Sequence, residues 1–230
     1  MRVWMAGLAL VLGAAVPLAR AAEPGLRIYF IDVEGGQSTL VVDPEGETLL
    51  VDAGNPGNDG RDLNRILAAM REAQVDHIDT LVITHYHSDH VGGVPALLKK
   101  VRVGTIVDHG ENREDGAGVP AGYAAFLKAA KGHTIRVVKP GDKLAFHGMS
   151  VTVLTADGEK IGEALAGAGE VNPKCGAEPQ WPADGSENAR SVGMLLEYGE
   201  FRFADFGDLT KAKEVALVVR RTLWGRWIST

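Results

Sequence analysis

Thr84-His85-Tyr86-His87-Ser88-Asp89-His90-Val91-Gly92-Gly93 is the stretch on which the reading of this chain turns. It follows His77–Thr84, whose Ile78, Leu81, Val82 and Ile83 read as a buried strand that delivers the chain into the histidines. In extended backbone, residues two apart point to the same side, roughly 6–7 Å apart. His85 and His87 can therefore converge on one metal ion, and Asp89 and His90 can face a second where the chain turns into Gly92-Gly93. Imidazole and carboxylate ligands suit zinc first, with manganese or iron as alternatives. A solvated loop that happens to be rich in histidine is the competing reading. An apolar strand running straight into four potential ligands disfavours it.

Working outward, β-type runs are expected at Leu26–Val33, Ser38–Val42 and Thr48–Asp52, joined by turns at Glu34–Gln37 and Asp43–Gly46. Leu63, Ile66, Leu67 and Met70 then recur at helical spacing, with Asp59 as a candidate N-cap. Beyond the histidines come a short helix at Val94–Lys100, a strand at Val103–Val107 and a helix around Tyr123–Lys131. Strands at Ile135–Val138, Lys143–Phe146 and Ser150–Thr155 follow. Residues 156–190 turn to Gly, Pro, Ala, Glu and Asn without periodicity and read as one long irregular loop. Strands return at Val192–Tyr198 and Phe201–Phe206, and Thr210 is placed to cap a helix, Thr210–Val219. Pattern alone reaches an α/β domain and no further.

His85-x-His87-x-Asp89-His90 resembles the signature of the metallo-β-lactamase superfamily. Asp52 at a strand end, Gly-Gly-Val-Pro after the motif, and Phe206-Gly207-Asp208-Leu209 extend the likeness. Phe30–Ser38 and Asn188-Ala189-Arg190-Ser191 look like the branch related to the ComEC competence nuclease domain. The resemblance implies an α/β fold, a four-layer αββα sandwich, over residues 22–230. It implies that His85 and His87 hold metal one, that Asp89 and His90 hold metal two, and that Asp208 bridges them. Asp89 and Asp208 become the carboxylates of a two-zinc catalytic centre, and Asp52 would stand behind a ligand and orient it. His109, at a strand end, is a weaker candidate for a third ligand of metal one. His77, His133 and His147 read as surface or capping residues.

Members of the superfamily continue past the Gly-Asp segment to a strand that ends in a further histidine, and no histidine follows Asp208 here. The expectation is an incomplete second half, with residues 220–230 as an atypical tail. The implied activity is metal-assisted hydrolysis of a phosphoester or phosphodiester, the partner being a small-molecule or phosphoester substrate. A β-lactam or lactone is the runner-up, and a shortened, non-catalytic metal-binding relative is the rival from a different class.

The ends and the composition set the context. Arg2, the apolar run Val3–Leu18 and the small residues of Ala19-Arg20-Ala21 have the order of a secretory signal peptide, residues 1–21. The expected location is periplasmic or secreted, with no membrane association after cleavage. The single cysteine, Cys175, rules out a disulfide within the chain and a cysteine-based structural zinc site. A net charge of −6 disfavours stable nucleic-acid binding by counterion release. The sequence leaves the oligomeric state open.

Overall fold

The computed structural model describes residues 25–116, 119–165, 168 and 181–218. Residues 1–21, where a signal peptide is expected, Cys175 and the tail at 220–230 lie outside the described residues.

Two sheets stack with helices on their outer faces, giving the expected four layers. The first sheet contains β1 (Arg27–Phe30), β2 (Thr39–Val42), β3 (Thr48–Val51), β4 (His77–Val82), β5 (Arg102–Asp108) and β6 (Thr134–Val137), in that spatial order. Short turns make β1–β2–β3 antiparallel. From β3 onward the strands are parallel, because helical crossovers separate them. Those crossovers are α1 (Arg61–Ala73), the pair α2 (Ser88–Val91) and α3 (Val94–Leu97), and α4 (Val119–Ala129). The second sheet is antiparallel: β11 (Phe201–Asp205), β10 (Gly193–Tyr198), β8 (Ser150–Ala156) and β7 (Lys143–Leu144), with β9 (Glu159–Lys160) paired to β8. Helix α5 (Lys211–Val218) covers its outer face.

The period-2 alternation of side chains explains why the layers stack this way. Leu40, Val42 and Leu50 face Ile66 and Met70 of α1 and Phe126 of α4. Their neighbours Val41, Leu49 and Val51 face Val151, Val153, Met194 and Leu196 of the second sheet. Leu154 and Leu195 point the other way, toward Leu209 and Leu217. The central strands β2, β3 and β8 are thus buried on both faces, as near-continuous apolar strands require, while the edge strands β1, β6 and β11 are partly exposed.

Two local expectations need correction. Asp59 does not cap α1: Gly60 occupies the cap position in a left-handed conformation, and Asp59 sits in the preceding 3-10 turn at φ 51°. The acid that organises this corner is buried Asp62, which accepts the Asn55 amide at 2.7 Å and the Arg61 guanidinium at 2.6 Å. Residues 156–190 are also not wholly irregular. Asp157 and Gly158 make a positive-φ turn that returns β9 along β8, and Asn188–Arg190 form a 3-10 turn ahead of β10.

Candidate metal centre

The candidate ligands gather at the carboxyl ends of strands from both sheets. Asp52 follows β3, His85 and His87 follow β4, Asp108-His109 end β5, and Asp208 follows β11. The two sheets are fastened together beside the histidines, where the Val192 amide donates to the Thr84 carbonyl at 2.9 Å.

Each ring nitrogen has a definite task. The Thr84 hydroxyl donates its one proton to Asp52 Oδ2 at 2.6 Å, so it can only accept from His85 Nδ1, 3.1 Å away. That assignment leaves His85 Nε2 as a lone pair, and it lies 3.1 Å from His87 Nδ1. Two nitrogens bound to a common zinc at about 2.0–2.1 Å stand roughly this far apart. His90 Nδ1 donates to Asp52 Oδ2 at 2.7 Å, while its buried Nε2 has no hydrogen-bond partner. That free nitrogen faces Asp208 Oδ1 at 3.4 Å and Asp89 Oδ2 at 3.9 Å. Among the described residues, ligand atoms of His85, His90 and Asp208 all lie within 4.8 Å of one another. The unpartnered His90 nitrogen, the His85 lone pair and the Asp208 carboxylate, drawn together, fit a divalent cation.

Electrostatics separate the histidines. Burial, reinforced by the neighbouring rings of His90, His87 and His109, depresses His85 to about 2, so it is neutral and able to coordinate. Burial acts in the same sense on His90, but the carboxylates of Asp52, Asp208 and Asp89 outweigh it and lift its pKa to about 9. A positive charge at His90, whether proton or metal cation, is what that corner favours. Asp89 and Asp208 have side chains 38% and 47% exposed, so the carboxylates line the open side of the centre.

The structure does not bring His109 into this group. Its Nε2 meets Glu187 Oε2 at 3.0 Å and its ring lies against Tyr86, with centroids 4.7 Å apart. His77 and His147 pair with nearby acids at the surface, as expected of boundary residues.

Three participants were not foreseen from sequence. Glu187 is fully buried and accepts the amides of Tyr86 and Arg113, both at 3.3 Å, besides His109. Glu114 approaches His87 Nε2 at 3.5 Å. Gln37 donates to both oxygens of Asp205, at 2.7 and 2.6 Å, and burial raises the pKa of that carboxyl. The one signal for Glu187 was its place directly before Asn188-Ala189-Arg190-Ser191.

The chain is similar to known proteins to different extents. Ribonuclease J of Mycolicibacterium smegmatis is 39% identical over 84 residues, which is 34% of this chain and 15% of that protein. Hydroxyacylglutathione hydrolase of Aeromonas salmonicida is 30% identical over 118 residues, 51% of this chain and 37% of that protein. The chain thus spans well under half the length of these relatives. Among solved structures, Rm3 metallo-beta-lactamase aligns over 77% of this chain and 56% of its own, at 14% identity and TM-score 0.46. The profile of the Metallo-beta-lactamase superfamily matches residues 31–165, more than half of the sequence, and the chain belongs to that superfamily.

Proposed function

We propose that this chain is a metal-dependent hydrolase that acts on a small phosphoester or phosphodiester and is exported from the cytoplasm. The observation that carries the reading is the ligand geometry. Three histidines have one nitrogen committed to, or aimed at, an orienting group, and the other turned toward Asp208 or toward a second histidine. Divalent cations at such a centre supply Lewis acidity and lower the pKa of water. The chain's own residues do the rest. His85 and His87 would hold one cation, and His90 with Asp89 and Asp208 would hold another. Asp52 and Thr84 fix the ring orientations from behind. The exposed carboxylates keep the face open to substrate.

The phosphoester class is supported by the relative named as a ribonuclease and by the ComEC-like stretches at Phe30–Ser38 and Asn188–Ser191. The net charge of −6 favours a small substrate over long nucleic acid. Zinc is the expected metal, with manganese or iron as substitutes. Export rests on Arg2, Val3–Leu18 and Ala19-Arg20-Ala21. No helix among the described residues is long and apolar enough to cross a membrane.

The test is hydrolysis of bis-p-nitrophenyl phosphate by zinc-loaded protein, compared with Asp208→Asn and His87→Ala. Turnover by wild type that both variants lose supports the proposal. Turnover of a β-lactam or lactone with none on the phosphodiester would replace the substrate class, and zinc binding without any turnover would point to a non-catalytic relative.

A further inference from the structure

His85 and His90 each have a hydrogen-bond partner behind the ring, Thr84 and Asp52. His87 has its Nδ1 turned to His85 Nε2, so its Nε2 must carry the proton when Nδ1 coordinates. That Nε2 is buried and makes no hydrogen bond to any described residue, and the nearest anionic oxygen is Glu114 Oε1 at 3.5 Å.

We propose that Glu114 is the positioning residue of His87, fixing its tautomer and ring orientation for metal one; this rests on the metal-centre reading above. A ligating imidazole held by a carboxylate through its other nitrogen is the same relationship that Asp52 has with His90. Glu114 is built to stay in place. Its amide donates to Asn112 Oδ1 at 3.0 Å, and Asn112 Nδ2 returns a hydrogen bond to the Glu114 carbonyl at 2.9 Å. Its second carboxylate oxygen accepts the Glu187 amide at 2.6 Å. Glu187 in turn accepts the amide of Tyr86, the residue between the two coordinating histidines. The loop after β5 and the turn before β10 therefore grip the His85–His87 segment through two glutamates. The side chains of His87 and Glu114 are 24% and 23% exposed, which leaves the approach largely screened from water.

The isosteric variant Glu114→Gln separates this role from a structural one. The carboxylate accepts from Glu187 N and, in the proposed role, would also receive the N–H of His87 Nε2. An amide accepts with its oxygen only, and its NH2 then confronts the remaining donor. Zinc affinity is measured on the full chain by competition with a chromophoric chelator, alongside cobalt(II) absorption as a signature of the coordinating histidines. Wild type, His87→Ala, Glu114→Gln and Glu114→Ala are compared, and thermal unfolding of the metal-free proteins reports the fold.

The expected result is a loss of about 10–100-fold in affinity for Glu114→Gln, with an altered cobalt spectrum and metal-free unfolding like wild type. Should Glu114→Ala fail to fold, Glu114→Gln decides. Zinc bound by Glu114→Gln as tightly as by wild type, while His87→Ala loses it, overturns the assignment of Glu114 alone. If wild type and His87→Ala bind zinc equally, or neither binds, the metal-centre reading fails and this inference with it.

Discussion

Asp52 and His90 are joined by a 2.7 Å hydrogen bond between two side chains fully removed from solvent. The same carboxylate accepts the Thr84 amide at 2.8 Å and the Thr84 hydroxyl at 2.6 Å, so three donors depend on it. Asp52 reaches them from the left-handed region, at φ 58°, where aspartate is one of the few side chains that is tolerated. Asp52→Asn is expected to keep the fold, lose about 1–3 kcal/mol of stability, and bind zinc more weakly, because one amide oxygen cannot replace two carboxylate oxygens. Zinc content after dialysis and a urea unfolding curve check this. A variant that retains zinc as wild type does would remove Asp52 from its supporting role.

Thr84 links the same carboxylate to a second candidate ligand, His85. Thr84→Val is nearly isosteric but removes the hydroxyl that accepts from His85 Nδ1 and donates to Asp52. The expected cost is about 1–3 kcal/mol, from buried groups left unpaired. Zinc affinity should fall with it, since the His85 tautomer is no longer enforced. Unchanged zinc binding in the competition assay would show that burial alone holds the ring.

Gly92-Gly93 was visible in sequence only as a turn into a helix, whereas the structure gives it a tighter role. A Cβ on Gly93 would lie 2.0 Å from the carbonyl oxygen of Ala53, beside Asp52. The Gly93 amide also donates to the Gly54 carbonyl at 2.9 Å, so neither backbone can move away freely. Gly93→Ala should destabilise the protein by about 3 kcal/mol. Gly162→Ala, where nothing lies within 4 Å, serves as control and should stay within about 0.5 kcal/mol of wild type. Comparable losses at the two positions in urea unfolding would contradict the close-approach argument.

The parts of the fold set by local pattern were legible before the structure. β4 and the apolar strands β2, β3, β8 and β10 announce themselves through unbroken hydrophobic runs, and α1 through its spacing of Leu63, Ile66, Leu67 and Met70. His85, His87, Asp89 and His90 are adjacent in sequence, so their convergence follows from backbone geometry. Asp52 and Asp208 came from the family resemblance, because nothing local distinguishes a supporting or bridging carboxylate from a turn residue. Glu114 and Glu187 stayed hidden for the same reason. Each lies in a loop where acids are ordinarily solvated, and only the packing of the turn before β10 against the histidine segment buries Glu187. His109 lies outside the group formed by His85, His90 and Asp208; its Nε2 is held by Glu187, and its buried Nδ1 has no partner among the described residues.

Glu187 makes a prediction about acid. Burial pushes its carboxyl upward, but hydrogen bonds from His109 and from the amides of Arg113 and Tyr86, with the charge of His109, outweigh burial and hold the pKa below the ordinary 4.5. A carboxyl whose folded pKa is depressed adds stability that is complete above its unfolded value and is lost as pH falls through the folded one. Glu187→Gln should therefore be less stable than wild type at neutral pH, by about 1–3 kcal/mol, since its single oxygen cannot serve the donors on both sides. The gap should stay level down to about pH 5 and narrow at lower pH, as the wild-type carboxyl takes up its proton and loses its advantage over the amide. Urea unfolding of both proteins in chelator, at a series of pH values from neutral to acid, measures the gap without a contribution from bound metal. A gap that persists unchanged into acid would mean that the shape of Glu187, and not its charge, holds Tyr86 and His109 in place.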